Sequence, residues 1–506
     1  MLTAELDAGT EVVRAVADSI SSLIPGGAFI GGDITQVTSP LHVREVETGQ
    51  LIGTVDNVSS AGVASAVERA RQSLDSPWEP WQRQEALLDA ASELEALNDD
   101  AALILAAEGI KTITEARQEV QRAVHTLKLS ARAIDTHTGE TLNLSSTARG
   151  SRRSGYFERY PLGVVAAITP FNDPLNLVAH KIGPALAAGN SVIVKPAEQT
   201  PFSALLLAMI LHRSGVPEGR LAVLPGDSTT GRALVEHDGV DVLTFTGGEK
   251  VGNSISAQAN GRKVLLELGG NNAVVVAADA DIDAAVRACV AGAFSAAGQN
   301  CISVQRVYVH ESIIDAVIPL ALRQTERLKV GTKFNPRTEV GPMVSDAAVR
   351  SFLERIAEAE RQGAEVRTGG VARGRFVDPT ILTSVDETMS VFREECFAPV
   401  MTIGAFDDWR TLPDRIHSGG QPMQVGVFSA DIGLCLSLAD RLRVGTVLIN
   451  ESSDFRIDSM PFGSFGRSGV GREGVKFAMQ ELSAPKSIIF SPIDSRTHPR
   501  MEQAHD

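Results

Sequence analysis

The sequence predicts an α/β protein built on doubly wound parallel sheets. Three observations carry this reading. Short apolar runs alternate with helical stretches from residue 161 onward, the pattern of parallel strands joined by crossover helices. Proline or glycine punctuates these runs, as at buried strands. A second region of the same texture begins at residue 273.

The elements follow in order. Residues 1–25 have helical spacing but no evident partner and read as a variable N-terminal extension. Residues 59–136 read as helices: Val63, Val67 and Ala70 recur at helical spacing, and 85–107 is rich in Ala, Leu and Glu. GVVAAIT (163–169), bounded by Pro161 and Pro170, is the first buried strand. A helical stretch then ends at Gly189, and SVIVKP (191–196) is a second strand closed by Pro196. A helix over 201–214, LAVLPG (221–226), a helix over 229–236 and VLTFTG (242–247) continue the alternation. AVVVAA (273–278) opens the second region. Gly469, Gly471 and Gly474 spell G-x-G-x-x-G, but no strand feeds into them and too little chain follows for a βαβ unit. They are not read as a dinucleotide fingerprint.

Composition narrows the function classes. The 506 residues amount to about three domains' worth of chain. The net charge of -15 argues against nucleic acid and anionic membranes as partners. Cys289, Cys301, Cys396 and Cys435 show no CxxC pair and no zinc spacing, so no metal site is expected and free thiols in a reducing compartment are. The N-terminus has no apolar signal core, and the aliphatic stretch 204–211 is far too short to span a bilayer. A cytoplasmic location is expected.

Three features suggest chemistry. Cys301 sits among small and amide residues in AAGQNCIS, where a nucleophile competes with the reading of a small buried hydrophobe. Glu267 ends the apolar run VLLEL before two glycines, where a carboxylate is costly unless it is partnered or functional. Asn172, Lys195 and Glu198 follow strand ends, where ligands bind in doubly wound sheets, although exposed turns look the same.

Together these features resemble the aldehyde dehydrogenase superfamily from about residue 30 to about 490. The motifs are TPFNDPLN (169–176), KPAEQTP (195–201), FTGGEKVG (245–252), LELGGNN (266–272), GQNC (298–301), EECFAPV (394–400) and PFGSFGRSGVGREG (461–474). The resemblance implies an aldehyde dehydrogenase-like fold of two doubly wound parallel-sheet domains with a small β oligomerisation arm. The cofactor domain would take 26–140 and 161–267, the catalytic domain 268–480, and the arm 141–160 with 481–495. YFERYP and KSIIFSP fit strands that pair between subunits, so a homodimer or homotetramer is expected.

By the same resemblance Cys301 is the nucleophile, Glu267 the general base and Asn172 the side-chain half of an oxyanion hole. Lys195 and Glu198 face the adenosine ribose, and Gly247, Gly248 and Gly252 lie near the pyrophosphate. Thr169, Pro170, Phe171 and Leu268 join the cofactor set, and Glu395 and Phe397 position the nicotinamide end. NAD is expected over NADP, because Glu198 would meet a 2′-phosphate with like charge. Two departures are that Gly248 replaces the usual Ser after FTG and Arg467 the usual Lys of PFGGFK.

The implied reaction turns an aldehyde into a carboxylic acid through a thiohemiacetal and a thioester on Cys301, hydrolysed by water activated by Glu267. A CoA-acylating dehydrogenase, an acid-activating reductase and a non-enzymatic homologue are the competing readings. The combined presence of Cys301, Glu267 and Asn172 weighs against them. The expected aldehyde funnel is Asp173, Asn176, Leu177, His180, Asn300, Ile302, Phe455, Arg456 and Phe462. Half of this set is polar, which predicts a small polar aldehyde. INESSDFRIDSMPFG (449–463) resembles the lactaldehyde and phosphonoacetaldehyde branch, where Arg456 could hold a hydroxylated or anionic tail. Asp173 is expected to repel a dianion, which favours a hydroxyaldehyde. The alternative reading is that Arg456 pairs only with Glu451, Asp454 or Asp458.

Overall fold

The computed structural model describes residues 13–492 except 15, 19, 21, 22 and 25. Two mainly parallel sheets carry the chain. The first runs, edge to edge, 33–34, 29–30, 221–223, 191–195, 164–168, 242–247, 263–268 and 469–470. Its five central strands are parallel, and the outer pairs are antiparallel. The second runs 365–368, 380–383, 400–406, 304–310, 272–276, 424–428 and 446–449, parallel except at 365–368.

The inner strands are buried on both faces, which is why they read as unbroken apolar runs. Helices cover them, and several begin at a local signal. Ser59 caps Ser60–Ser73 by accepting from the Gly62 N–H. Pro80 opens Pro80–Ala96, where its missing N–H costs nothing. Thr112 and Glu115 form a reciprocal capping box at Ile113–Ala133.

The strand Val164–Ile168 lies between Ser191–Lys195 and Val242–Gly247. The chain leaves it on one side and returns on the other, so a crevice opens beyond the carboxyl ends of these strands. Doubly wound sheets bind ligands at such a switch point. Thr169, Lys195, Gly247 and Leu268 all fall there.

The structure departs from the expected organisation in three places. Val13, Val16, Ile20 and Ile24 pack in the first core, so the described part of the expected extension has a partner after all. Residues 1–12 lie outside the described residues, as do 493–495 of the expected arm. Residues 469–480, expected in the second unit, and Leu482, expected in the arm, join the first: Gly469–Val470 pairs with Leu266 and Glu267, and Val475, Met479 and Leu482 enter the first core. Finally, Ser154–Pro161 and Ser483–Phe490, expected to pair between subunits, pair antiparallel with each other within the chain. Glu140–Thr141 completes that three-stranded sheet, which leaves Ser483–Phe490 at its edge.

One buried ion pair ties distant segments together. Lys333 Nζ lies 2.7 Å from Glu45 Oε1, both side chains 0% exposed, and it donates to the Gly109 carbonyl at 2.7 Å. The Lys333 carbonyl accepts from the Ile113 N–H at 2.8 Å. The β-hairpin 40–56, the start of helix Ile113–Ala133 and the loop at 333 are thereby joined. Removing one partner of such a pair strands a charge. Lys333→Ala is expected to cost about 3–5 kcal/mol, read from the urea unfolding midpoint. A loss under about 1 kcal/mol would show that Glu45 is stabilised by other means.

Candidate active site

Cys301 follows the helix Ile282–Phe294 across a tight turn. Ala296 and Ala297 adopt φ of 49° and 54°, and Gly298 a φ of 68°. Left-handed backbone at two alanines costs on the order of 1–3 kcal/mol each and persists only where neighbours over-determine it. Here they do. Glu115, already engaged in the capping box, accepts from the Ala296 N–H at 2.7 Å. The Gln299 amide donates to the Ala296 and Pro342 carbonyls and accepts from the Val344 N–H. Asn272 Nδ2 donates to the Cys301 carbonyl at 2.8 Å, while its Oδ1 accepts from the Met423 and Gln424 N–H groups at 3.0 Å each. Asn300 accepts from the Ile302 N–H and donates to Asp454 at 2.9 Å.

Two cavities meet at Cys301. One, of about 210 Å3, is lined by Pro170, Phe171, Gly247, Gly248, Glu267, Leu268, Glu395, Phe397 and Phe462, among others. The other, of about 190 Å3, takes in Lys111, Arg122, Asp173, Asn300, Ile302 and Asp454. Asn172, Leu177, Cys301 and Arg456 line both. A third cavity of about 580 Å3 beyond the first sheet holds Lys195, Glu198, Asp227 and Arg232.

The first and third cavities suit a dinucleotide. The Thr246 hydroxyl lines the first and is buried without a partner among the described residues, as is the hydroxyl of Thr169 next to Pro170. Gly269 lets the Glu395 carboxylate lie close against the backbone, where a Cβ would displace it. Glu395 accepts from the Gly270 N–H at 3.3 Å, and Phe171 meets Phe397 edge-on at 5.9 Å. Gly252 packs against Leu268 rather than lining a cavity.

Several expected funnel residues are elsewhere. Asn176 and His180 are buried behind the cavity: Asn176 accepts from Thr126 at 2.9 Å, and His180 Nε2 lies 2.9 Å from Asp458. Phe455 is 43% exposed and lines neither cavity at Cys301. Arg456 pairs with none of the three acids expected for it. Its partner is Glu473, at 3.0 Å, and its guanidinium lies over the Phe462 ring at 3.8 Å. Asp173 is not a free carboxylate beside Asn172 but pairs with both Lys111 and Arg122. The expected repulsion of an anionic tail is therefore offset.

Sequence reading missed Lys111, Arg122, Asp454 and Glu473. Lys111, in the loop before the helix Ile113–Ala133, and Arg122, within that helix, face the site far from every motif. Glu473 lay in the glycine-rich run set aside as a decoy.

Charge sets the reactivity. Burial raises the Glu267 carboxyl well above its ordinary range, and the Glu473 carboxylate adds to this. Glu267 Oε2 has no partner among the described residues. Burial also works against ionisation of Glu473, but Lys181, at 2.7 Å, and Arg456 outweigh it and hold that carboxyl low. Burial pushes the Cys301 thiol up to about 12, with Arg456 the foremost opposing charge. Burial likewise raises Glu395 and Asp454 to about 7 each. The resting thiol is thus protonated at neutral pH, and its thiolate fraction rises with pH.

Two measurements follow. Alkylation of Cys301 by iodoacetamide, read by peptide mass spectrometry, should speed up about tenfold from pH 7 to pH 8, and Arg456→Ala should slow it at either pH. A flat pH dependence would contradict the raised thiol. Asn272→Ala leaves the Cys301 carbonyl and two N–H groups without partners, at about 1–3 kcal/mol for each. It should lower the thermal midpoint and slow alkylation together.

Residues 34–488 match the aldehyde dehydrogenase family. The 3-sulfolactaldehyde dehydrogenase of Priestia aryabhattai is 38% identical over 474 residues, covering 94% of this chain and 99% of that one. A lactaldehyde dehydrogenase of Methanococcus maripaludis is 33% identical over 472 residues, covering 92% and 99%. Among solved structures, the glyceraldehyde-3-phosphate dehydrogenase of Methanocaldococcus jannaschii complexed with NADP superimposes with a TM-score of 0.86 at 34% identity, covering 91% of this chain and 100% of that one. The fold, the motif set at Cys301 and these likenesses agree, and the chain belongs to the aldehyde dehydrogenase family.

Proposed function

We propose that this enzyme oxidises a short aldehyde bearing a hydroxyl or anionic group to its carboxylic acid, with Cys301 as nucleophile. One observation carries the reading. Cys301 and Asn172 stand where a cavity holding Glu267, Glu395 and Phe397 meets one holding Lys111, Arg122 and Arg456. An aldehyde entering the second cavity would present its carbonyl carbon to the Cys301 sulfur. The Asn172 amide and the Cys301 N–H would donate to the oxyanion that forms. NAD or NADP, held beside Glu395 and Phe397, would supply the hydride acceptor. Glu267 faces the same point and would take a proton from the water that releases the acid. Its raised carboxyl must ionise first, so turnover should favour mildly alkaline pH.

Support for an anionic tail comes from the cations. Lys111 and Arg122 answer Asp173, and Arg456 lies against the aromatic face of Phe462 with its charge shared by Glu473. The relatives named for sulfolactaldehyde and lactaldehyde fit such a substrate. Glu198 and the ionised Asp227, held down near 2 by the Thr229 hydroxyl, favour NAD over NADP, against Lys195 and Arg232 in the same cavity. The edge strand Ser483–Phe490 supports a homo-oligomer, because it can extend its sheet with a second copy.

The test is kcat/KM with NAD and with NADP across sulfolactaldehyde, lactaldehyde, succinate semialdehyde, hexanal and benzaldehyde, with and without CoA. An anionic or hydroxylated aldehyde should lead, NAD should be preferred and CoA should be dispensable. Cys301→Ala should abolish turnover, and Glu267→Gln should let an acyl-enzyme build up. If hexanal or benzaldehyde leads by tenfold, about 1.4 kcal/mol in transition-state binding, the polar-cavity reading fails.

A further inference from the structure

A second concentration of positive charge lies at the opposite end of the first sheet. Gly163, Gly189 and Arg220 precede the strands Val164–Ile168, Ser191–Lys195 and Leu221–Val223 at their amino ends. Five-residue strands separate this end from the catalytic edge by about 16 Å. A cleft of about 910 Å3 opens there between the sheet, the start of the helix Pro80–Ala96 and the arm strand Ser154–Pro161. Arg83, His137, Arg159 and Arg220 converge on it from four separate segments, with Trp78 and Tyr160 as aromatic walls.

These groups are held together without a counter-ion to match. Arg220 is used structurally: it donates to the Gly189 and Ser76 carbonyls at 2.9 and 2.8 Å, and its guanidinium lies 5.8 Å from the Trp78 ring centre. Arg83 donates through one Nη to the Ala187 carbonyl at 2.8 Å, but its Nε is buried with no partner among the described residues. The Nε2 of His137 is in the same position. A Cβ at Gly189 would come within 2.8 Å of Arg83 Nη1, so a glycine is what lets the guanidinium lie in this corner. Burial, then Arg159 and Arg83, push His137 down to about 4, and Arg220 likewise opposes the charge on Arg83. Glu79 and Glu158 also line the cleft, but both are exposed to water, whereas the orphaned nitrogens are not.

We propose that this cleft binds a phosphate group, free or carried on a small metabolite, between Arg83, His137 and Arg159. The buried Arg83 Nε donor without an acceptor is costly, and a tetrahedral dianion offers several acceptor oxygens to the Arg83 and Arg159 guanidiniums converging from different directions. The cleft is roomy enough for more than the anion, and Leu74, Pro77 and Ile134 supply an apolar wall for a carbon skeleton. A bound phosphate would bridge the arm strand to the body of the first sheet. Such a ligand would act on the enzyme away from its reacting atoms.

Calorimetric titration of the full chain at constant ionic strength tests this, with inorganic phosphate and glycerol 3-phosphate as the two probes and chloride as the balancing anion. Wild type should bind at least one probe. The better probe tells whether a free or a carried phosphate is preferred. Arg83→Gln should weaken binding about tenfold or more, as loss of one partner of a buried charged contact does. Arg159→Gln, on the arm strand, should weaken it as well and serves if Arg83→Gln fails to fold. Arg456→Ala should bind phosphate as wild type does. The proposal is overturned if wild type binds neither probe. It is equally overturned if both arginine variants bind like wild type while Arg456→Ala loses the signal, because the anion would then sit in the aldehyde cavity.

Discussion

The site depends on a strained turn. Ala296 and Ala297 are held left-handed between a helix and a strand of the second sheet, and without that turn Cys301 could not stand where two cavities meet. The restraint comes from side chains on other elements. Glu115 reaches over from the helix Ile113–Ala133, and Asn272 stands at the head of a neighbouring strand. Glu115 satisfies its own helix terminus and the Ala296 N–H with one carboxylate. The fold of the first unit is thereby coupled to the backbone of Cys301 in the second.

Around that turn the charges are arranged as a balance. Four ionisable side chains, Glu267, Glu473, Lys181 and Arg456, lie buried together, and no bulk water screens them. Glu473 takes both cationic partners and stays ionised, so Glu267 is left without one and its carboxyl is raised. A carboxyl in that state suits proton transfer near neutral pH better than one locked in a salt bridge. Arg456 connects this group to Cys301 and to the aldehyde cavity, so one guanidinium influences both the thiol and the substrate.

The aldehyde cavity follows the same logic on a smaller scale. Asp173 beside Asn172 would be an obstacle to an anion if it stood alone. Lys111 and Arg122 change its meaning, and Arg122 also reaches Asp458, which holds His180. Residues that would be judged substrate contacts by their place in a motif, Asn176 and His180, instead form the buried support behind the cavity wall.

The sequence by itself determined the alternation of strands and helices, because buried parallel strands must be apolar on both faces and must be punctuated to turn. The runs 163–169, 191–196 and 242–247 became neighbouring strands for that reason. Cys301, Glu267 and Asn172, each carried by a contiguous motif, were singled out from the sequence as well, and the fold brings them to one cavity. What only the tertiary structure decided were the contacts between segments remote in the chain. Lys111 and Arg122 carry no local signature, and a lysine or arginine outside every motif reads as solvated until a neighbour buries it. The partner of Arg456, the pairing of Asp173, the in-chain closure of the arm and the packing of Val13 and Ile20 into the first core all depend on distances in space. Local propensity acts over a few residues, whereas a charge or an apolar side chain is satisfied by whatever the folded chain brings within a few ångströms.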